Sequence, residues 1–150
     1  MTNIYGIDEQ GLEYVNAATR IAETIRGQAP EVDKLAAFPR AAIKMLADGG
    51  LPGLCIPVDS GGKGQSPAVF AGVVEQLSQA CPSTAMIYVM HVSASQAFVA
   101  TQTLAGREAL LKEIAAGKHL TTLAFSERGS RSQFWAPVSK LATACLRSPP

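Results

Sequence analysis

At 150 residues, 47% of them hydrophobic and 17% charged, the chain can bury a real core and is too apolar to be disordered. A net charge of +1, with the lysines and arginines scattered, leaves no basic stripe, so nucleic acid is not an expected partner. Cys55, Cys81 and Cys145 stand far apart with no C-x-x-C and no Cys/His ligand pair, which excludes a disulfide framework and a metal centre and reads as buried thiols in a reducing compartment.

Residues 1–8 carry no basic region followed by an apolar run, so no signal peptide is expected and a cytoplasmic location is. Asp8 or Glu9 begins a first helix. Tyr14, Ala18, Ile21 and Ile25 lie on one face of it, with Val15 and Ala22 beside them. Gly27 and Pro30 are expected to end it. Phe38-Pro39 opens a second helix, with Pro39 in the first turn, where a missing N–H costs little. Its apolar face is Ala42, Ile43, Leu46 and Ala47, and Asp48-Gly49-Gly50 stops it.

Residues 51–64 are irregular, with Gly61-Gly62-Lys63-Gly64 at their end. That tetrapeptide invites a phosphate-loop reading, but the Gly-x-x-x-x-Gly-Lys-Ser/Thr spacing is missing, and a structural turn is the expectation. Ser66-Pro67 is a strong helix start: Ser caps free N–H groups and Pro takes the first position. Phe70, Val73, Val74 and Leu77 follow at helical spacing, and Glu75 among them reads as a solvated carboxylate. Cys81-Pro82-Ser83-Thr84 breaks this helix and caps a fourth, expected over 84–104.

Residues 76–106 contain no Asp, Glu, Lys or Arg. His91, Ser93, Ser95, Gln96, Thr101, Gln102 and Thr103 in the same stretch argue against a lipid-facing span. The stretch suits a helix central to a bundle, with His91 as a hydrogen-bonded core residue. Gly106-Arg107-Glu108 starts a fifth helix with Leu110, Leu111 and Ile114 inward, Glu108 and Lys112 paired at i, i+4, and Gly117 closing it. The fold expected is therefore mainly α, a bundle of about five helices.

The pattern changes at residues 120–125, which are uncharged, contain two threonines and a phenylalanine, and suit a β-strand. A polar loop follows, Ser126-Glu127-Arg128-Gly129-Ser130-Arg131-Ser132. Backbone N–H groups, hydroxyls and guanidinium groups suit an anion or phosphate, and they also suit an ordinary exposed turn. Trp135 fits a ligand face and a hydrophobic wall equally well, and the tail after Ser139 shows no pattern.

Three segments carry a resemblance. Gly50-Leu51, Gly53-Leu54, Pro57 and Gly61-Gly62-Lys63-Gly64 fall in register with a pattern of the acyl-CoA dehydrogenase family, Gly-Leu-x-Gly-Leu-x-x-Pro-x-x-x-Gly-Gly-x-Gly. Gly106-Arg107-Glu108 and Ala116-Gly117-Lys118 resemble that family's lead-in to its flavin strand. Ser126-Glu127 and Ser132 resemble its flavin segment, with Arg128 in place of Pro, Arg131 in place of Gly and Gln133 in place of Asp. The resemblance runs over roughly residues 7–138.

The resemblance implies a helical N-terminal domain at 1–118 and the first strand of a truncated middle β-domain at 119–150. It implies an FAD-dependent acyl-CoA dehydrogenase, in which flavin takes a hydride from Cβ of an acyl-CoA thioester while a Glu removes the α proton. That Glu has no counterpart in this chain, so no catalytic residue is assigned and the 150 residues alone are expected to lack activity. FAD is implied to lie against Leu123, Phe125, Ser126, Arg131 and Ser132, with Ser132 also near the substrate. Two readings of Arg131 stand: a charge-assisted bond to phosphate, or a block to the close backbone approach that Gly permits. An electron-transfer partner and homo-oligomerisation are implied for the full-length protein. Two other functions fit the residues: a flavin monooxygenase of the same fold and a non-catalytic helical partner subunit.

Overall fold

A computed structural model of the chain describes residues 6–124. Among them are six α-helices, α1 (Glu9–Ile25), α2 (Ala29–Leu35), α3 (Arg40–Asp48), α4 (Pro67–Ser78), α5 (Pro82–Ala100) and α6 (Arg107–Ala115). The mainly helical reading holds.

Local chemistry starts most of these helices where the sequence places them. Asp8 caps α1, its carboxylate accepting the Gly11 N–H at 2.7 Å. Ser66 caps α4 in the same way through the Val69 N–H, and Pro67 takes the first position. Glu108 and Lys112 pair at 3.4 Å on the surface of α6. Gly117, at φ +70°, takes the left-handed conformation that closes it.

The core lies between α1, α3, α4 and α5 and includes Val15, Ala18, Leu46, Leu51, Val73, Leu77, Tyr88 and Val92. α1 packs chiefly on α4. A Cβ on Gly11 would stand 2.7 Å from the Val69 side chain, so glycine sets how closely these two helices approach. The buried line of α1 is Gly11, Val15, Ala18, Ala22 and Ile25, with Tyr14 and Ile21 half-buried at its margin. A smaller cluster, Ile56, Leu111 and Ile114, joins α6 to the glycine-rich segment.

Three expectations need correction. Pro30 does not end a helix: it sits in the first turn of α2, where its missing N–H costs nothing. α5 stops at Ala100, short of residue 104. Thr101 is extended, and the Arg107 guanidinium takes two carbonyls of the last turn, Phe98 at 2.9 Å and Val99 at 2.6 Å. Residues 120–124 adopt no regular structure, and Phe125 lies outside the described residues. A strand needs a ladder partner. No described segment supplies one, and the Thr121 N–H instead reaches the His91 ring.

Candidate functional site

The glycine-rich segment was a candidate anion cradle, and its backbone decides against that. The N–H of Gly61 donates to Val58, that of Gly62 to Pro57, that of Lys63 to Gly53, that of Gly64 to Ile56 and that of Gln65 to Leu54, all between 2.8 and 3.0 Å. With each donor engaged inside the segment, none points outward for a phosphate. A Cβ on Gly62 would overlap the Ile56 carbonyl oxygen, so the turn closes too tightly for any other residue. The segment is a structural clasp between the core and α6.

α5 is the organising element. The Tyr88 hydroxyl donates to the Leu51 carbonyl at 3.0 Å, and Gln96 Nε2 donates to the Cys55 carbonyl at 3.3 Å. His91 Nδ1 accepts the Thr121 N–H at 3.1 Å. One face of the helix is thereby tied to the clasp and to the segment that follows α6. Its opposite face is partly exposed and uncharged: Met86 is 60% exposed.

Beside that face runs an apolar groove of about 320 Å³, lined by Phe38, Met86, Ile87, Met90 and the consecutive residues Leu120, Thr121 and Thr122. Exposed Met86, Phe38 and Leu120 form its rim. Flexible methionines give such a surface adaptable shape. The residues that build the groove were not singled out from the sequence. The available signal was the charge-free run 76–106, which left apolar side chains on both faces of α5.

Burial sets the ionisation of the groups near this helix. It holds His91 below the ordinary imidazole range, with backbone interactions at Pro52 and Thr121 opposing it and the charge of His119 adding to it. The same cause pushes the Cys55 thiol up to about 11 and the Tyr88 phenol well above its usual value. Neither thiol nor phenol is poised for nucleophilic or base chemistry at neutral pH.

Of the implied flavin contacts, Leu123 lies half-buried just past the groove, while Phe125, Ser126, Arg131 and Ser132 lie outside the described residues. Trp135, Arg128 and Gln133 lie outside them too. His91 is the buried, hydrogen-bonded core residue expected. Glu75 is exposed and accepts from Gln79 at 3.4 Å. No group of three or more metal-ligating side chains occurs among the described residues. No described helix is long and apolar enough to cross a membrane.

Residues 8–118 match the family described as acyl-CoA dehydrogenase, N-terminal domain. Acryloyl-CoA reductase (NADH) of Anaerotignum propionicum is 30% identical over 69% of this chain and 26% of its own length. Cyclohex-1-ene-1-carbonyl-CoA dehydrogenase of Syntrophus aciditrophicus is 28% identical over 86% of this chain and 31% of its own length. Mitochondrial isovaleryl-CoA dehydrogenase of Arabidopsis thaliana is 27% identical over 83% of this chain and 32% of its own length. The chain thus spans about a third or less of these curated relatives. No solved structure matches it significantly.

Proposed function

The chain belongs to the acyl-CoA dehydrogenase family, and from that premise we propose that it forms the helical wall of an FAD-dependent enzyme that oxidises an acyl-CoA thioester at its α,β bond. The observation that carries this reading is the position of the groove. It lies between α5 and residues 120–122, immediately before the stretch that resembles the flavin segment. An acyl chain laid against Met86, Ile87 and Met90 gains about 0.8 kcal/mol for each methylene it buries. Leu120 and Thr121 deliver the chain from that groove to Leu123, so acyl chain and flavin would meet at one edge of the helical domain.

Bound flavin supplies the hydride acceptor. The residues we assign to holding it are Leu123 and Phe125 by packing, Ser126 by hydrogen bonding near the ring, and Arg131 and Ser132 near phosphate or CoA. Leu123 offers an apolar contact, and since the N–H groups of residues 61–65 are all engaged, we assign phosphate binding to the 126–132 loop. Residues 1–118 are proposed as the helical domain and 119–150 as the beginning of a β-domain. Further walls, a carboxylate base, an electron-transfer partner and a second copy of the chain complete the proposed assembly.

The test compares two proteins. The 150 residues alone should bind FAD weakly or not at all, because a ligand site normally buries most of its ligand and the groove is open along its rim. Joined to the β-domain and C-terminal bundle of a relative, they should give a yellow protein that reduces an artificial acceptor with acyl-CoA. In that protein Ser132→Ala should weaken ligand binding by ~1–3 kcal/mol. A colourless, correctly folded hybrid would overturn the flavin reading. Turnover by the 150 residues alone would overturn the single-wall reading.

A further inference from the structure

We propose that His91 is the positioning residue that fixes where the chain leaves the helical domain: its neutral imidazole accepts the Thr121 N–H, and protonating the ring releases residues 120–124. The inference holds whatever occupies the groove.

His91 is 1% exposed on α5, and its Nδ1 lies 3.1 Å from the backbone nitrogen of Thr121, thirty positions along the chain. A ring nitrogen accepts a hydrogen bond only when it carries no proton. The bond therefore selects the tautomer with hydrogen on Nε2. Nε2 is buried and makes no hydrogen bond of good geometry among the described residues, although the Pro52 backbone interacts with the ring and favours its charged form. Charging the ring would place an N–H against the Thr121 N–H. It would also place a charge in the interior, which burial opposes.

Burial, the largest effect, holds the ring neutral, while backbone contacts at Pro52 and Thr121 pull the other way. α5 carries no Asp, Glu, Lys or Arg, and its other ionisable group, Tyr88, donates to Leu51. The 3-10 turn Leu51–Gly53 has no ionisable side chain. The incoming segment brings His119, whose positive charge opposes a second one on His91. From α2, α3, α4 and α6, which also pack on α5, no described charge acts on the ring. The consequence reaches the groove, because Leu120, Thr121 and Thr122 form one of its walls. The latch holds that wall against α5, and low pH frees it.

The test is nuclear magnetic resonance on the 150-residue chain labelled with nitrogen-15. At neutral pH the His91 ring should show its proton on Nε2, and the Thr121 amide should be protected from exchange. On acidification, the ring and the amide should report one midpoint below about 6.5. Thr121 protection should fall about tenfold while amides within α5 stay protected. His91→Asn, whose side-chain oxygen can take the Nδ1 position, should keep Thr121 protected and remove the pH dependence. His91→Phe should lose the protection at every pH, and His119→Gln should raise the midpoint. A proton on Nδ1 at neutral pH, or a Thr121 amide indifferent to the His91 titration, would overturn the proposal. So would loss of α5 protection at the same midpoint, which marks global acid unfolding. If His91→Phe does not fold, the wild-type titration and His91→Asn still decide the matter.

Discussion

The hydroxyl of Tyr88 donates to the carbonyl of Leu51 at 3.0 Å, tying the middle of α5 to the start of the glycine-rich clasp. Both residues are buried, so water cannot replace either partner. Tyr88→Phe keeps the ring and its tilted contact with Phe70 at 5.8 Å but removes one of that carbonyl's two hydrogen bonds, leaving the one from the Leu54 N–H at 3.0 Å. The expected loss is about 0.5–1.5 kcal/mol of stability, read from the urea midpoint at constant m-value.

Two glycines should respond in opposite ways to the same substitution. Gly62→Ala drives a methyl group into the Ile56 carbonyl oxygen, backbone that cannot step aside, and should cost about 3 kcal/mol or more. Gly27 has open space around its would-be Cβ and no positive φ. Gly27→Ala should therefore leave stability unchanged or raise it by about 0.5 kcal/mol, through the entropy of the unfolded chain. Thermal melts of the pair, run side by side, check the contrast.

Arg107 closes the end of α5 from a different helix. Arg107→Ala removes both bonds, to Phe98 and to Val99. The expected cost is about 1–2 kcal/mol, since the side chain is only partly buried. Hydrogen exchange should quicken at the C-terminal turn of α5 and at the start of α6 while α1 and α4 are unaffected.

Cys55 should be a sluggish thiol. With burial pushing it up to about 11, its thiolate fraction at pH 8 falls about a hundredfold below that of a free cysteine. Peptide mapping after brief iodoacetamide treatment should find it unmodified in the folded chain and alkylated in urea. Its raised pKa also means that the folded state loses stability as pH climbs from about 9 through 11.

Acid should act in the opposite sense through His91, whose folded pKa lies below the unfolded one. Between those values the unfolded chain binds the extra proton. The contribution is therefore complete above about pH 6.5 and is lost as pH falls toward the folded pKa. Urea midpoints should be flat from about pH 7 to 9, short of the Cys55 window, and decline below about 6.5. In His91→Asn the decline should be smaller.

The sequence by itself determined the parts whose causes lie within a few residues. Ser66-Pro67 and Asp8 announce helix starts because a cap and its N–H partner are three positions apart. Glu108 and Lys112 announce a surface pair because four positions bring them onto one face. The spacing of Gly50 to Gly64 announced both a tight turn and the family. Local chemistry also misled where two outcomes share one signal: Pro30 suits the end of one helix and the first turn of the next, and residues 120–124 have strand composition without a described partner. Only the tertiary structure decided what crosses long separations. It engaged the clasp's N–H groups with carbonyls, shortened α5 through Arg107, and set Phe38, Met86 and Leu120 around one groove. It also chose which ring nitrogen of His91 meets Thr121. Periodicity records which face of a helix turns inward, but a directional bond to a group thirty residues away exists only once the packing has brought the two within 3 Å or so of each other.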